Sequence, residues 1–329
     1  QKTDTYRIHR RGGRGGSGMT RREEDVATDM FVIGSHDYVL FFTNRGRVYR
    51  LKCYEIPEGT RVAKGINIAN LLPIAQEEKV TSMIRVPEFD EESFLVMVTK
   101  NGIIKRTALS AYNTARKGGV IAIDLDEGDE LSWVRMTSGK DDLLVATKSG
   151  MAIRFHEQDA RAMGRTARGV KAVSLEEGDC VVGMVILQPG TLVLTVSEMG
   201  FGRLSPESDY HAQFRGGKGL LNYHTERYGD VAAIQAVSLN DDVILISSGG
   251  IIIRILANSI RQCQRPSKGV LLMRLTENSH VVTVACTEHD EEEEAEQAVD
   301  DGSAEEGCDN AAAEEDAGQE PADKPEQDE

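Results

Sequence analysis

Two series of glycines recur along this chain at an interval close to fifty residues, and that interval limits what the chain can fold into. The first series is Gly46, Gly102, Gly150, Gly200 and Gly250, with steps of 56, 48, 50 and 50. Each glycine follows an apolar, β-branched run, at 38–43, 94–99, 143–147, 192–196 and 243–247, and precedes another. Lys148-Ser149-Gly150-Met151-Ala152-Ile153-Arg154 is representative. Two such runs joined across a glycine turn read as a β-hairpin. The second series is Gly65, Gly119, Gly169, Gly219 and Gly269, with steps of 54, 50, 50 and 50. These glycines follow Arg, Lys or Gly and precede an apolar residue, as in Arg168-Gly169-Val170 and Lys218-Gly219-Leu220. One further step of 50 back from Gly65 reaches Gly15. A third apolar run follows an acidic turn in each unit, at 79–86, 131–136, 181–187, 231–237 and 281–286.

Four short strands per repeat, with six basic turns, predict an all-β fold: a six-bladed, propeller-like ring whose sheets bury their faces against one another. There are only five glycine hairpins. The sixth is expected ahead of Gln1, which leaves the first blade incomplete and makes the chain a piece of a longer one. The run 281–286 has no successor and is expected to close the ring onto the first repeat. A straight β-solenoid is the alternative, though its turns are usually shorter. WD- and kelch-type propellers fit less well, because aromatics are only 5%, Trp133 is the single tryptophan and no Trp-Asp pair occurs.

Charge divides the chain in two. Of 54 acidic and 38 basic residues, 20 and one respectively fall in 288–329, leaving 34 and 37 in 1–287. A body of net charge +3 thus carries a tail of −19, and the whole-chain value of −16 describes neither part. The tail is nearly free of large apolar residues and cannot offset its ordering entropy, so 288–329 is expected to be disordered. It is either a solubilising appendage or a mimic of DNA that competes for basic surface. Five cysteines without a Cys-x-x-Cys pair suggest neither zinc nor a disulfide framework and fit a reducing cytosol. No apolar run reaches membrane-spanning length.

Each repeat carries one basic turn, in the same phase. The first is His9-Arg10-Arg11-Gly12-Gly13-Arg14-Gly15-Gly16, with three guanidiniums among four glycines. Glycine lets a backbone approach another surface closely, and the guanidinium fork matches phosphate geometry. Arg-Gly-Gly runs also occur in disordered RNA-binding tails. Because Gly15 is in phase with the repeat, an ordered loop is the better reading. The candidate DNA-binding residues are therefore Arg10, Arg11, Gly12, Gly13, Arg14 and Gly15 in the first turn. In the later turns they are Arg61 and Lys64, Arg116 and Lys117, Arg165 and Arg168, Arg215 and Lys218, and Arg265 and Lys268. Phe214-Arg215-Gly216-Gly217-Lys218-Gly219 reads as a second, degenerate copy of the first turn. For any one of these residues a solvated turn charge is the plain alternative; the shared phase carries the argument.

These residues resemble the C-terminal domain of the DNA gyrase A subunit. The family's hallmark box reads Gln-Arg-Arg-Gly-Gly-Lys-Gly, and His9–Gly15 matches it with His for Gln and Arg for Lys. Arg45-Gly46-Arg47-Val48-Tyr49, Asn70-Leu71-Leu72-Pro73 and the acidic tail are also similar to the family. The resemblance covers 1–287 and implies a β-pinwheel, a propeller relative whose blades exchange strands. It implies chiral wrapping of double-stranded DNA around the rim, in support of ATP-dependent negative supercoiling. It also implies assembly with two B subunits and the remainder of each A subunit, in an A2B2 heterotetramer, and a cytoplasmic, chromosome-associated location. The catalytic tyrosine lies upstream in that family, so no catalytic residue is expected here. ATP and magnesium would be bound elsewhere, with no cofactor or metal in this chain.

Two rivals stand beside this reading. The A-type subunit of topoisomerase IV shares the pinwheel but usually lacks an intact box. A protein-binding propeller scaffold would have no nucleic-acid role. The seven histidines show no ligand spacing, Asp141-Asp142 and Asp241-Asp242 read as turn formers, and the glycine clusters lack the Lys-Ser/Thr ending of a P-loop.

Overall fold

The computed structural model describes residues 16–17, 33–57, 65–114, 116 and 118–288. A short first strand, β1 (Gly16–Ser17), is followed by the hairpin β2 (Tyr38–Thr43) and β3 (Arg47–Lys52) and then by β4 (Val80–Val86). The second repeat holds β5 (Phe94–Thr99), β6 (Ile103–Ala108), β7 (Val120–Ile121) and β8 (Leu131–Thr137). The third holds β9 (Asp142–Thr147), β10 (Met151–His156), β11 (Val170–Lys171) and β12 (Val181–Leu187). The fourth holds β13 (Leu192–Ser197), β14 (Phe201–Pro206), β15 (Leu220–Leu221) and β16 (Val231–Val237). The fifth holds β17 (Asp241–Ser247), β18 (Ile251–Leu256), β19 (Val270–Leu271) and β20 (Val281–Glu288).

These strands form five four-stranded antiparallel sheets arranged as a propeller-like ring. From the axis outward they run β4-β2-β3-β7, β8-β5-β6-β11, β12-β9-β10-β15, β16-β13-β14-β19 and β20-β17-β18-β1. The outermost strand of each sheet comes from another repeat: β7 follows the β5–β6 hairpin in sequence but pairs with β3. The second strand from the axis is the most apolar. Leu-Val-Leu-Thr-Val-Ser in β13 is buried at all six positions, because both faces of a blade meet neighbours and strict alternation is not required. The core is accordingly a series of layers between blades. Leu40, Phe42, Leu95 and Met97 fill one, Val96, Leu143, Val145 and Ile153 the next. The innermost strands enclose a channel of about 550 Å³ lined by Thr81, Trp133, Arg135, Gln235 and Thr283 among others.

In each glycine series one member shows the steric reason. Gly150 closes its hairpin at φ +90, and a Cβ there would lie 2.2 Å from the Tyr223 carbonyl of the incoming strand segment. The same segment donates to Gly150 through the Asn222 and Tyr223 amides, at 2.7 and 3.0 Å. Gly219, at φ +82, would place a Cβ 2.4 Å from the Ala152 carbonyl. The two glycines lie where the exchanged segment crosses the hairpin that receives it, and only a missing side chain permits that approach.

Two expectations are corrected. The described residues form five blades, not six. A blade needs a hairpin, whereas a basic turn supplies only a two-residue edge strand, so blade number follows the five hairpins. The turn containing Arg61 and Lys64 lies outside the described residues. Nor does 281–286 tie the ring to the first repeat: β20 is the innermost strand of the last blade, paired with β17. The tie is β1, whose Gly16 and Ser17 pair with Ile252 and Ile251 of β18. That register matches Leu220 and Leu221 of β15 against Ala152 and Met151, so the segment after Gly15 occupies the repeat's own phase.

Candidate nucleic-acid interface

In three blades the outer edge is built from two short pieces with a loop between them. Ala162, Ala212 and Gln262 form isolated bridges to Arg106, Arg154 and Leu204. A few residues later β11, β15 and β19 pair with the start of those same strands. The intervening loops, 163–169, 213–219 and 263–269, carry the basic turns and lie along the outer edge. This brings Arg165, Arg168, Arg215, Lys218, Arg265 and Lys268 to the rim. Arg116 is exposed in the turn before β7. Arg10, Arg11, Gly12, Gly13, Arg14, Gly15, Arg61, Lys64 and Lys117 lie outside the described residues, as does the acidic segment beyond Glu288.

Within each loop the two cations differ. In the loops at 213–219 and 263–269 the first is held by backbone carbonyls. The Arg215 Nε donates to the Asp159 carbonyl and its Nη1 to the Lys171 carbonyl, both at 2.9 Å. Fifty residues on, Arg265 donates in the same way to the Asp209 and Leu221 carbonyls, at 2.8 and 2.9 Å, with its guanidinium 5.4 Å from the Tyr210 ring centroid. Each arginine therefore joins the loop to a chain segment 56 residues earlier and to an edge strand 44 residues earlier. The second cation is exposed and engaged differently in each blade. Arg168 makes a two-pronged ion pair with Asp126, whose carboxyl is held below its ordinary value chiefly by that hydrogen bond. Lys218 reaches Glu176 at 3.1 Å, with both side chains largely in water. Lys268 instead lies over the Phe201 and Tyr228 rings, its Nζ 3.9 and 5.3 Å from their centroids.

Two buried cations brace the loops from beneath. The Lys105 ammonium is fully buried and donates to the carbonyls of Ala122, Gly164 and Arg165, the Gly164 contact at 3.1 Å. Burial, with the Arg165 charge nearby, pulls its pKa down to about 7, while Asp124 acts in the opposite sense. Arg203, also fully buried, donates to the Ser267 carbonyl at 3.0 Å and to Ser205 Oγ and Asn222. Asn222 in turn accepts from the Tyr210 hydroxyl at 2.8 Å. Sequence reasoning passed over Lys105 and Arg203. Their signal was a cation three residues after a hairpin glycine, where Ile153 and Ile253 stand in other blades. It also passed over Arg161, His211 and Arg261, an exposed row that immediately precedes the bridge residues.

The arrangement presents repeated positive charge on fixed loops along one edge, spaced by the blades. Among the described residues no group of three or more His, Cys, Asp or Glu side chains is placed to hold a metal ion.

Residues 37–87, 93–138, 141–188 and 241–288 match the family model described as DNA gyrase C-terminal domain, beta-propeller. The DNA gyrase A subunit of Staphylococcus aureus strain MRSA252 is 44% identical over 296 residues, which cover 89% of this chain and 33% of that protein. Its counterpart from strain NCTC 8325 / PS 47 is 43% identical over 297 residues, covering 89% and 34%. The chain thus spans about a third of the length of these curated relatives. Among solved structures, a DNA gyrase A C-terminal domain superposes with a TM-score of 0.74 at 24% identity, covering 87% of this chain and 94% of that one. The C-terminal domain of DNA topoisomerase IV superposes with a TM-score of 0.71 at 24% identity, covering 82% and 85%. At that identity both share the fold.

Proposed function

The chain belongs to the DNA gyrase C-terminal domain family, and from that premise we propose that it wraps duplex DNA around its rim with a fixed hand, as the wrapping domain of a type IIA topoisomerase A subunit. The observation that carries the reading is the placement of the basic loops, in one phase, along the outer edge of successive blades. Bending a 20–30 bp site costs on the order of 1–6 kcal/mol. Release of condensed cations on phosphate contact offsets that cost without any base-specific contact. A row of exposed Arg and Lys suits this task, and the exposed second cation of each loop is its phosphate-facing member. Arg10, Arg11 and Arg14, with Gly12, Gly13 and Gly15, form the leading contact of the set; Arg61, Lys64, Arg116 and Lys117 extend it.

Within the whole protein the wrap would present a crossing segment of one sense to a cleavage gate on other domains, so that ATP-dependent strand passage introduces negative supercoils. The catalytic groups, ATP and magnesium then belong to the two B subunits and to the remainder of each A subunit, in an A2B2 assembly working in the cytoplasm on the chromosome. In this division 1–287 is the wrapping body and 288–329 a separate acidic tail. The sequence relatives at 43–44% identity are gyrase subunits, which favours gyrase. The likeness to the topoisomerase IV domain keeps that enzyme as the second reading.

The test is topological. Nicked plasmid is incubated with the chain, sealed with ligase, stripped of protein and resolved on a gel. A linking-number shift that grows with protein and collapses when Arg10, Arg11 and Arg14 are changed to Ala is the expected result. Binding without a shift would move the assignment to topoisomerase IV. Absence of binding by the folded chain would leave the scaffold reading.

A further inference from the structure

Phe214 is 91% exposed, more than any other large apolar side chain among the described residues. A lone exposed apolar group is common on protein surfaces. What distinguishes this one is how firmly its loop is fixed. The Gln213 amide donates to the Arg154 carbonyl at 2.8 Å, and the Gly216 amide to the Ala172 carbonyl at 2.6 Å. The Ser174 amide and Oγ donate to the Gly217 and Gly216 carbonyls, at 2.9 and 2.8 Å. With Arg215 locked on two further carbonyls, the backbone is held on both sides of the ring. The ring is thus presented to solvent on a loop that does not need it for packing. Burying it would have added to stability, as it does for any large apolar side chain. Nor does the repeat require an aromatic here, since Gly164 and Gln264 occupy the equivalent positions fifty residues either way. Exposed Lys218 stands four residues on.

We propose that Phe214 is a wedge that enters the wrapped duplex from the minor groove and parts one base step, concentrating part of the bend at this blade. The proposal rests on the wrapping reading above. A stiff duplex on a curved rim can distribute its bend smoothly or localise it. Apolar side chains inserted between base pairs localise it, and pyrimidine–purine steps yield most readily. A fixed phenylalanine beside the exposed Lys218 supplies both halves of that device: the cation holds a phosphate while the ring parts the stack.

The experiment compares the full chain with its Phe214→Ala, Phe214→Leu and Lys218→Ala variants. Three readouts are linking number on nicked plasmid, permanganate reactivity of thymines at TA steps in a bound duplex, and affinity across a salt series. Wild type is expected to raise thymine reactivity above that of free DNA. Phe214→Ala should abolish that rise, reduce the linking-number shift and weaken binding about five- to tenfold, the loss of one stacking contact. Its salt slope should be unchanged, because no phosphate contact is lost. Lys218→Ala should instead lower the slope by about 1. Phe214→Leu, which retains an apolar wedge, should keep most of the reactivity. If Phe214→Ala matches wild type in reactivity and linking number, or wild type shifts linking number without raising reactivity, the wedge is wrong and wrapping stands. If wild type shifts no linking number, the wrapping reading falls and the wedge with it.

Discussion

At the scale of single residues, the rim's cations are not equivalent. Arg215 and Arg265 spend their donors on backbone carbonyls, whereas Arg168 and Lys218 face exposed carboxylates that any phosphate must displace. Asp126→Asn should therefore release Arg168, raise DNA affinity a few-fold at low salt and steepen the salt slope by about 1. Arg215→Ala should act on the fold instead, lowering unfolding free energy by about 1–2 kcal/mol through its two lost hydrogen bonds. Filter binding and urea melts on both variants separate the roles; an Asp126→Asn protein that binds no more tightly would show that the pair does not limit access. Lys105 makes a prediction about pH. Its pKa is about 7 folded against 10.5 as the unperturbed value. Between those values the unfolded chain carries a proton that the folded chain lacks, so stability rises with pH across the window. Below about pH 7 lysine is charged in both states and its contribution is at its minimum. Lys105→Met should lose this rise. The difference between the urea midpoints of wild type and Lys105→Met, followed from about pH 6 to 10, isolates it from the other titrating groups.

At the scale of elements, periodicity made the hairpins legible. A glycine after an apolar run at a fifty-residue interval located β2–β3, β5–β6, β9–β10, β13–β14 and β17–β18, and the acidic turns located the innermost strands. The edge strands were legible as basic-glycine turns, but their pairing was not. A two-residue strand such as Leu220–Leu221 carries no signal for which hairpin receives it, and the receiving strand β10 lies about seventy residues earlier. Blade count differed for a related reason: six turns implied a sixth hairpin ahead of Gln1, whereas among the described residues five edge strands complete the five hairpins present. The bracing of the loops was illegible because it runs through contacts distant in sequence. Lys105 reads as one more charge in Ile103-Ile104-Lys105-Arg106 until the strand pairing places the carbonyls of Gly164 and Arg165 over it.

At the scale of the whole molecule, the division of charge predicts a competition that no single blade shows. A body of net charge +3 carries exposed cations, Arg168, Lys218 and Lys268 among them, in loops along the outer edge, while 288–329 bears 20 carboxylates against one lysine. A polyanion tethered to the proposed phosphate-binding surface is held at high effective concentration, and the prediction is that duplex DNA displaces it or binds beside it. Both effects are electrostatic, and both fade as salt screens them. The strand β20 runs to Glu288, which pairs with Asp241, so the informative truncation ends at His289 and leaves the last blade whole. That protein should bind duplex DNA on the order of tenfold more tightly than the full chain at low salt, with the two affinities converging as salt rises. Its linking-number shift should saturate at a lower ratio of protein to DNA. The separate peptide 290–329, added at high concentration, should return the truncated protein toward the weaker binding of the full chain. Equal affinities at low salt would make the tail a solubilising appendage. Tighter binding that the free peptide cannot reverse would assign its effect to repulsion of DNA by the tethered charge and not to occupation of the rim.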